Sequence, residues 1–256
     1  MPAGVVGLAR RIRTARSVVC LTGAGISVPS GIPDFRTPVT GLWANVDPME
    51  VAHIDAWRAN PVRFWEFYGE RFVGLRDKEP NGAHLALVEL ERRGLLDGVV
   101  TQNIDMLHRK AGARGLVEVH GTIEHSVCLV DHERYALDDV LERRREADDG
   151  VPRCDAGHPL KPDVVLFGEM LSETALQRAY DLASGADVLL CVGSSLEVHP
   201  IAQLPSVTLA GGGVVALVTA GPTPWDRRAV AKLSGDVVEE LEGLIDALDG
   251  IEAAAR

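Results

Sequence analysis

The chain has 256 residues, 46% hydrophobic and 25% charged, with 37 acidic against 26 basic side chains and a net charge of −11. That suits a soluble protein with a sizeable core, either one large domain or one with an inserted module. The acidic balance repels nucleic acid in bulk yet tolerates basic, lysine-rich peptides. No stretch approaches the 18 uninterrupted apolar residues of a membrane span, and Met1–Arg13 lacks the apolar core of a signal peptide. The four cysteines, Cys20, Cys128, Cys154 and Cys191, form no disulfide framework. The expectation is a reduced, cytoplasmic protein; the oligomeric state stays open.

In chain order, Val5, Leu8 and Ile12 recur at helical spacing and predict a short amphipathic helix over 5–15. Val18 to Leu21, four apolar residues bounded by Ser17 and Thr22, predict a buried strand. Gly23-Ala24-Gly25 follows at once, and glycines at a strand end let backbone N–H groups approach a phosphate. The third glycine of the hydride-transfer fingerprint is missing, with Val28 in its place. Pro29, Gly31 and Pro33 then predict a stiff loop, ending in Asp34-Phe35-Arg36. A phosphate-binding turn feeding such a loop suggests a lid over a nucleotide.

Residues 37–56 read as irregular. Asn60-Pro61 then caps an aromatic-rich helix through Phe72. A helix over 83–93 stops at Gly94, Val99-Val100 is a strand, a helix runs from Ile104 to Ala111, and Leu116 to Val119 is a strand. Residues 133–149 are highly charged around Leu137, Val140 and Leu141, which predicts a surface helix in an insertion. Val164–Phe167, Val188–Val192 and Val214–Val218 predict further strands, with helices over 176–184 and 237–248.

Val- and Leu-rich strands without alternation, separated by helices, predict an α/β doubly wound parallel sheet, Rossmann-like, with a smaller inserted helical module. Ligands collect at the carboxyl ends of such strands. Four loops fall there: Gly23-Ala24-Gly25, Gln102-Asn103-Ile104-Asp105, His120, and Gly193-Ser194-Ser195. His120, beside Asn103 and Asp105, is a candidate for proton transfer, since an unperturbed imidazole titrates near 6.5.

Thr22-Gly-Ala-Gly-Ile-Ser27 and Gly31-Ile-Pro-Asp-Phe-Arg36, followed by Thr101-Gln-Asn-Ile-Asp105, Val119-His-Gly121 and Gly193-Ser-Ser195, resemble in order the motifs of the sirtuins, the NAD-dependent protein-lysine deacylases. The resemblance covers roughly residues 5–245. It implies an NAD-binding Rossmann-like domain from 1–36, 80–124 and 160–256, with small-domain insertions at 37–79 and 125–159. It further implies that the acyl oxygen of a modified lysine attacks the nicotinamide ribose as nicotinamide leaves, and that His120 is the general base on the ribose hydroxyls. Asn103 and Asp105 would order a water and the nicotinamide amide, with Ile104 between them in the same loop. Phe35 would shield the reactive face, with Asp34 beside it, Arg36 near the phosphates and Gln102 on a ribose. Gly193, Ser194 and Ser195 would hold the adenosine half. Phe167-Gly168-Glu169 and Val198 would edge the acyl-lysine peptide as it adds as a strand. An NAD glycohydrolase or ADP-ribosyltransferase and a silent NAD-sensing module are the rival readings.

The chain departs from the family in its zinc motif and at Thr219, and carries one feature of a subgroup. Where most sirtuins carry Cys-x-x-Cys twice around a structural zinc, it has Cys128-Leu-Val-Asp131 and Cys154-Asp-Ala-Gly157. Two thiolates of four are gone, with Asp131, His132 and His158 near enough in sequence to substitute, so weak, substoichiometric zinc is expected. Thr219 stands where many members place an Asn on the adenine ribose. Tyr68 and Arg71, three apart on one helix face, resemble the pair that holds succinyl and malonyl carboxylates in one subgroup. Deacetylation is nevertheless the expected base activity, because Asp34 stands where that subgroup has Thr.

Overall fold

The computed structural model describes residues 4–33 and 47–254. Helix α1 (Val5–Thr14) leads into β1 (Val18–Thr22). A 3-10 helix, Ala24–Ser30, follows β1 directly, where a loop was expected. Its tighter winding accommodates Pro29 within the last turn, and Gly31, at φ +75°, ends it. Within 47–56 the chain is not irregular: α2 (Pro48–Val51) and the start of α3 (Ile54–Ala59) lie there. Next comes α4 (Pro61–Arg76), capped by the Asn60 side chain accepting from Arg63 N–H. Then follow α5 (Gly82–Arg92), β2 (Gly98–Thr101), α6 (Leu107–Ala111) and β3 (Leu116–Glu118). The helix expected from Ile104 begins at Leu107, because Met106 adopts a left-handed conformation at φ +67°.

The middle of the chain builds β4 (Gly121–Cys128), β5 (Arg134–Ala136), α7 (Leu137–Glu146) and β6 (Leu160–Val164). The expected strand 164–167 therefore lies earlier, and only Val164 belongs to it. Beyond it the backbone turns to bond elsewhere: Val165 N–H donates to His120 O at 2.8 Å and Phe167 N–H to Ala52 O at 2.9 Å. The chain closes with α8 (Glu173–Gly185), β7 (Val188–Val192), α9 (Leu204–Ala210), β8 (Val214–Val218), β9 (Ala231–Leu233) and α10 (Val237–Ala254). Strands β4 and β5 interleave polar residues, and β9 is only three residues long, so they escape a sequence reading.

The large sheet has six parallel strands in the order β3-β2-β1-β7-β8-β9. Its strands are buried on both faces, so successive side chains enter different cores. In β1, Val18 and Cys20 pack into the core of α1, α5 and α10, while Val19 and Leu21 pack into the opposite one with α8 and α9. Val188, Leu190 and Val192 of β7 alternate with Leu189 and Cys191 in the same way. Cys20 and Cys191 are therefore buried thiols, pushed well above their ordinary titration by burial. A second sheet, antiparallel and ordered β5-β4-β6, shares a third core with α4 and α7, centred on Phe64, Trp65, Tyr68, Phe72 and Leu160.

Candidate functional site

Strand order runs outward from β1 in one direction and from β7 in the other, so a crevice opens where these two strands end. There the loops meet backbone to backbone. Gly23 N–H donates to Val192 O at 3.0 Å and Gly25 N–H to Gly193 O at 2.8 Å. A Cβ on Gly193 would lie 2.3 Å from Ile26 N, and one on Gly23 2.9 Å from Gly193 O. The N–H groups of Gly23 and Gly25 bind β7's end. The N–H groups of Ala24, Ser194 and Ser195 have no partner among the described residues.

From β2's end, Gln102 donates its side-chain amide to Ser194 Oγ at 3.0 Å, joining the Gln102 and Ser194 loops across β1. The Asn103 amide donates to Gly23 O at 3.1 Å and to Ser27 Oγ at 3.2 Å. The Ser27 hydroxyl in turn donates to Asp105 Oδ2 at 2.6 Å, and Asp105 Oδ1 accepts Leu107 N–H at 3.0 Å. Asn103, Asp105 and Ser27 are all buried. Burial raises the Asp105 carboxyl above its ordinary value, against the opposing pull of the Ser27 bond. Ser27 is a member of this network to which the sequence attached no role; a small polar residue two past Gly25 was its only signal. Ile104, on the same loop, packs against the third core and accepts Ile123 N–H at 3.2 Å.

His120 follows β3, and its Nδ1 lies 3.0 Å from Gln102 O. A carbonyl can only accept, so Nδ1 carries the proton and Nε2 keeps the lone pair of the neutral ring. Burial lowers the imidazole below 6.5, and the Gln102 bond offsets this only in part. The ring is therefore held as a neutral base in a fixed tautomer.

On the peptide side, Phe167 and Val198 are exposed apolar residues. The Phe167 N–H and C=O are both taken, by Ala52 O and Ile54 N–H at 2.9 Å each, while Gly168 has no backbone partner among the described residues. Glu169 turns inward instead of outward, its Oε2 accepting Leu166 N–H at 2.9 Å. Thr219, just past β8, donates its N–H to Leu233 O at 3.0 Å. Asp34, Phe35 and Arg36 lie outside the described residues.

Tyr68 is buried in α4, with its ring 4.7 Å from Phe64 and 5.5 Å from Phe72. Burial raises its phenol, and the charge of Arg71 acts in the opposite direction. The Arg71 guanidinium sits 3.6 Å over the Phe67 ring and also donates to Phe67 O.

For zinc, the donor set fits better than the lost thiolates suggest. Donor atoms of Cys128, Asp131 and Cys154 all lie within 4.8 Å of one another. Two soft thiols and a carboxylate suit zinc chemically. His158 is near enough to favour the Asp131 carboxylate by its charge, but neither it nor His132 joins that donor group. Gly157 brings no donor to the fourth place.

Comparison with known proteins bears on this arrangement. The Sir2 family profile matches residues 23–200. An NAD-dependent protein deacetylase of Thermotoga maritima is 41% identical over 89% of this chain and 92% of its own length. An NAD-dependent protein deacylase 2 of Archaeoglobus fulgidus is 42% identical over 91% of each chain. Among solved structures, a Sir2 in complex with a p53 peptide and NAD+ superposes with a TM-score of 0.87 at 38% identity, covering 96% of this chain and 98% of that one. A Sir2 bound to acetylated peptide gives 0.88 at 36% identity, over 97% and 100%.

Proposed function

The chain belongs to the Sir2 family, and on that premise we propose that it is an NAD-dependent protein-lysine deacylase whose base activity is deacetylation. The observation that carries this is the neutral His120, its Nε2 without a partner among the described residues, set beside the Asn103–Ser27–Asp105 network at the crevice between β1 and β7.

NAD, when bound, supplies the ribose that receives the acyl group as nicotinamide departs. The glycine junction of Gly23, Gly25 and Gly193, where an added Cβ would clash, supports a pyrophosphate at this crevice. The open N–H groups of Ala24, Ser194 and Ser195 are the donors for it. Gln102, with Ser194, would contact the ribose, and Thr219 the adenosine end. Asn103 and Asp105 present fixed polar atoms where a carboxamide and a water can be ordered. His120 Nε2 accepts a hydroxyl proton; the Gln102 carbonyl stabilises the resulting imidazolium through Nδ1–H. Burial of Asp105 keeps water from competing for these bonds.

The peptide would add as a strand between Gly168 and Val198. We also infer that residues 1–36, 80–124 and 160–256 act as the NAD-binding part and 37–79 and 125–159 as inserted parts. Cys128, Asp131 and Cys154 would hold a zinc away from the reacting atoms, where its chemistry is structural. A second reading is removal of succinyl or malonyl groups, for which Tyr68 and Arg71, three apart on α4, would hold the acyl carboxylate.

The deciding experiment incubates the protein with NAD and acetyl-lysine peptide and measures nicotinamide, free lysine and O-acetyl-ADP-ribose separately. Equimolar formation of all three is expected. Nicotinamide without deacylated peptide would replace this reading by NAD glycohydrolysis or ADP-ribosyl transfer. No nicotinamide at all, with NAD still bound, would leave a silent sensor.

A further inference from the structure

Lys161 lies in β6 and is only 5% exposed. A long flexible amine normally carries its charge to solvent, so an inward one needs a full set of acceptors. Lys161 has them. Its Nζ donates to Pro162 O at 3.1 Å and Val164 O at 2.8 Å, and meets Glu169 Oε2 at 2.8 Å. That same carboxylate oxygen accepts Leu166 N–H at 2.9 Å, while Glu169 N–H donates to Leu166 O at 3.0 Å. The segment 166–169 is thereby closed into a turn from both its backbone and its side chain, with Gly168 at φ +84° inside it. A Cβ on Gly168 would lie 2.6 Å from His53 Nε2, so the turn is also pressed against α3's entry.

This turn is where the peptide pairs in the deacylase reading. Phe167 is engaged on its far side by Ala52 and Ile54, which leaves the Gly168 backbone for a guest strand. One residue upstream of Leu166, Val165 N–H donates to His120 O at 2.8 Å, so the segment also carries the backbone of the base.

We infer that Lys161 is a positioning residue for the acyl-lysine peptide, acting through Glu169 to fix the turn that offers Gly168 to the substrate strand. The inference rests on the deacylase reading. Without the ammonium, Glu169 is left as a half-buried charge drawn toward solvent, and it releases Leu166 N–H as it goes. Gly168 then samples many orientations, and pairing with an extended peptide weakens. The loops of the proposed NAD crevice keep the contacts they make with one another.

The test compares wild type with Lys161→Met and Lys161→Arg in steady-state assays with NAD and acetyl-lysine peptide, alongside direct NAD binding by calorimetry. Lys161→Met should raise the peptide KM about tenfold or more, with the NAD dissociation constant within about twofold of wild type. Lys161→Arg, which retains the charge and donors, should recover most of the loss. Lys161→Met/Glu169→Gln removes the orphaned charge, and serves if the single variant does not fold; it should show the same raised peptide KM. A peptide KM within about twofold of wild type in a folded variant overturns the inference, as does an equal rise in both constants. Absence of peptide-dependent turnover in wild type sinks the deacylase reading and this inference together, whereas an active wild type with unmoved variants sinks this one alone.

Discussion

Gly25 donates its N–H to the carbonyl of Gly193 at 2.8 Å, and neither residue leaves room for a Cβ on the other. The two loops that meet here follow neighbouring strands separated by more than 160 residues of sequence. Gly193 also sits at φ +61°, a conformation that disfavours every side chain but hydrogen. Gly193→Ala therefore meets both a backbone clash and a strained dihedral. A loss of about 1–3 kcal/mol is expected, with a lowered Tm and NAD affinity reduced about tenfold or more. Unchanged NAD binding in calorimetry would show that the junction is not part of the cofactor site.

His120→Ala should leave NAD affinity within about twofold while turnover falls about 10²–10⁴-fold, the usual effect of removing a general base. The pH profile gives an independent check. Burial lowers the imidazole below 6.5, and the neutral form is the competent one. Activity should persist as pH falls to 6.5 and decline only below it. An acidic limb of kcat/KM centred above 6.5 would exclude His120 as its origin.

Behind this loop cluster, His84 and His108 are packed edge to face, with centroids 4.9 Å apart. His84 Nε2 and His108 Nδ1 are buried without a hydrogen-bond partner among the described residues. Burial drives them down to about 4 and about 3, with His108 further disfavoured by the charge of His84. The unfolded chain takes up protons near 6.5 that the folded chain refuses, so stability is full above 6.5 and is lost as pH falls toward 4. The loss at pH 4 amounts to at most roughly 3 kcal/mol for each ring. Asp105, whose carboxyl is raised, opposes this in part. Urea unfolding at pH 7.5 and 4.5 should show the drop, and His84→Gln should flatten it. Equal midpoints at both pH values would mean the rings are hydrated.

Asp131 supplies the third donor beside Cys128 and Cys154. Purified protein should carry less than one zinc per chain and lose it to mild chelation. Asp131→Cys should tighten retention, and Asp131→Ala should abolish it, both read by elemental analysis. One chelation-resistant zinc in wild type, unaffected by Asp131→Ala, would point to another ligand.

The Arg71 guanidinium rests on the Phe67 ring, 3.6 Å from its centroid. If that is its role, Arg71→Met should leave kcat/KM on acetyl-lysine peptide within about threefold, with succinyl and malonyl peptides poor substrates for both proteins. A strong succinyl preference in wild type that collapses in the variant would instead make Arg71 a carboxylate clamp.

Much of the architecture was written locally. The all-apolar Val18–Leu21, Val188–Val192 and Val214–Val218 runs mark strands covered on both faces, and hydrophobic periodicity is a property of neighbours in sequence. The loops after β1, β2, β3 and β7, with Gly23, Asn103, His120 and Gly193, could be placed at strand ends from the sequence. Tertiary structure alone decided which loops touch: the order β2-β1-β7 brings Gln102 to Ser194 and Asn103 to Ser27, pairings made by strands far apart in the chain. It alone drew Asp131 to the two thiols while leaving His132 and His158 out, since the turn geometry of the antiparallel sheet sets which donors converge. It alone buried Lys161, whose sequence context of Leu160, Pro162 and Asp163 reads as an ordinary exposed lysine. Charge, period and turn residues are set by local chemistry; a buried ion pair such as Lys161–Glu169 exists only once the backbone carbonyls that complete its coordination have been folded around it.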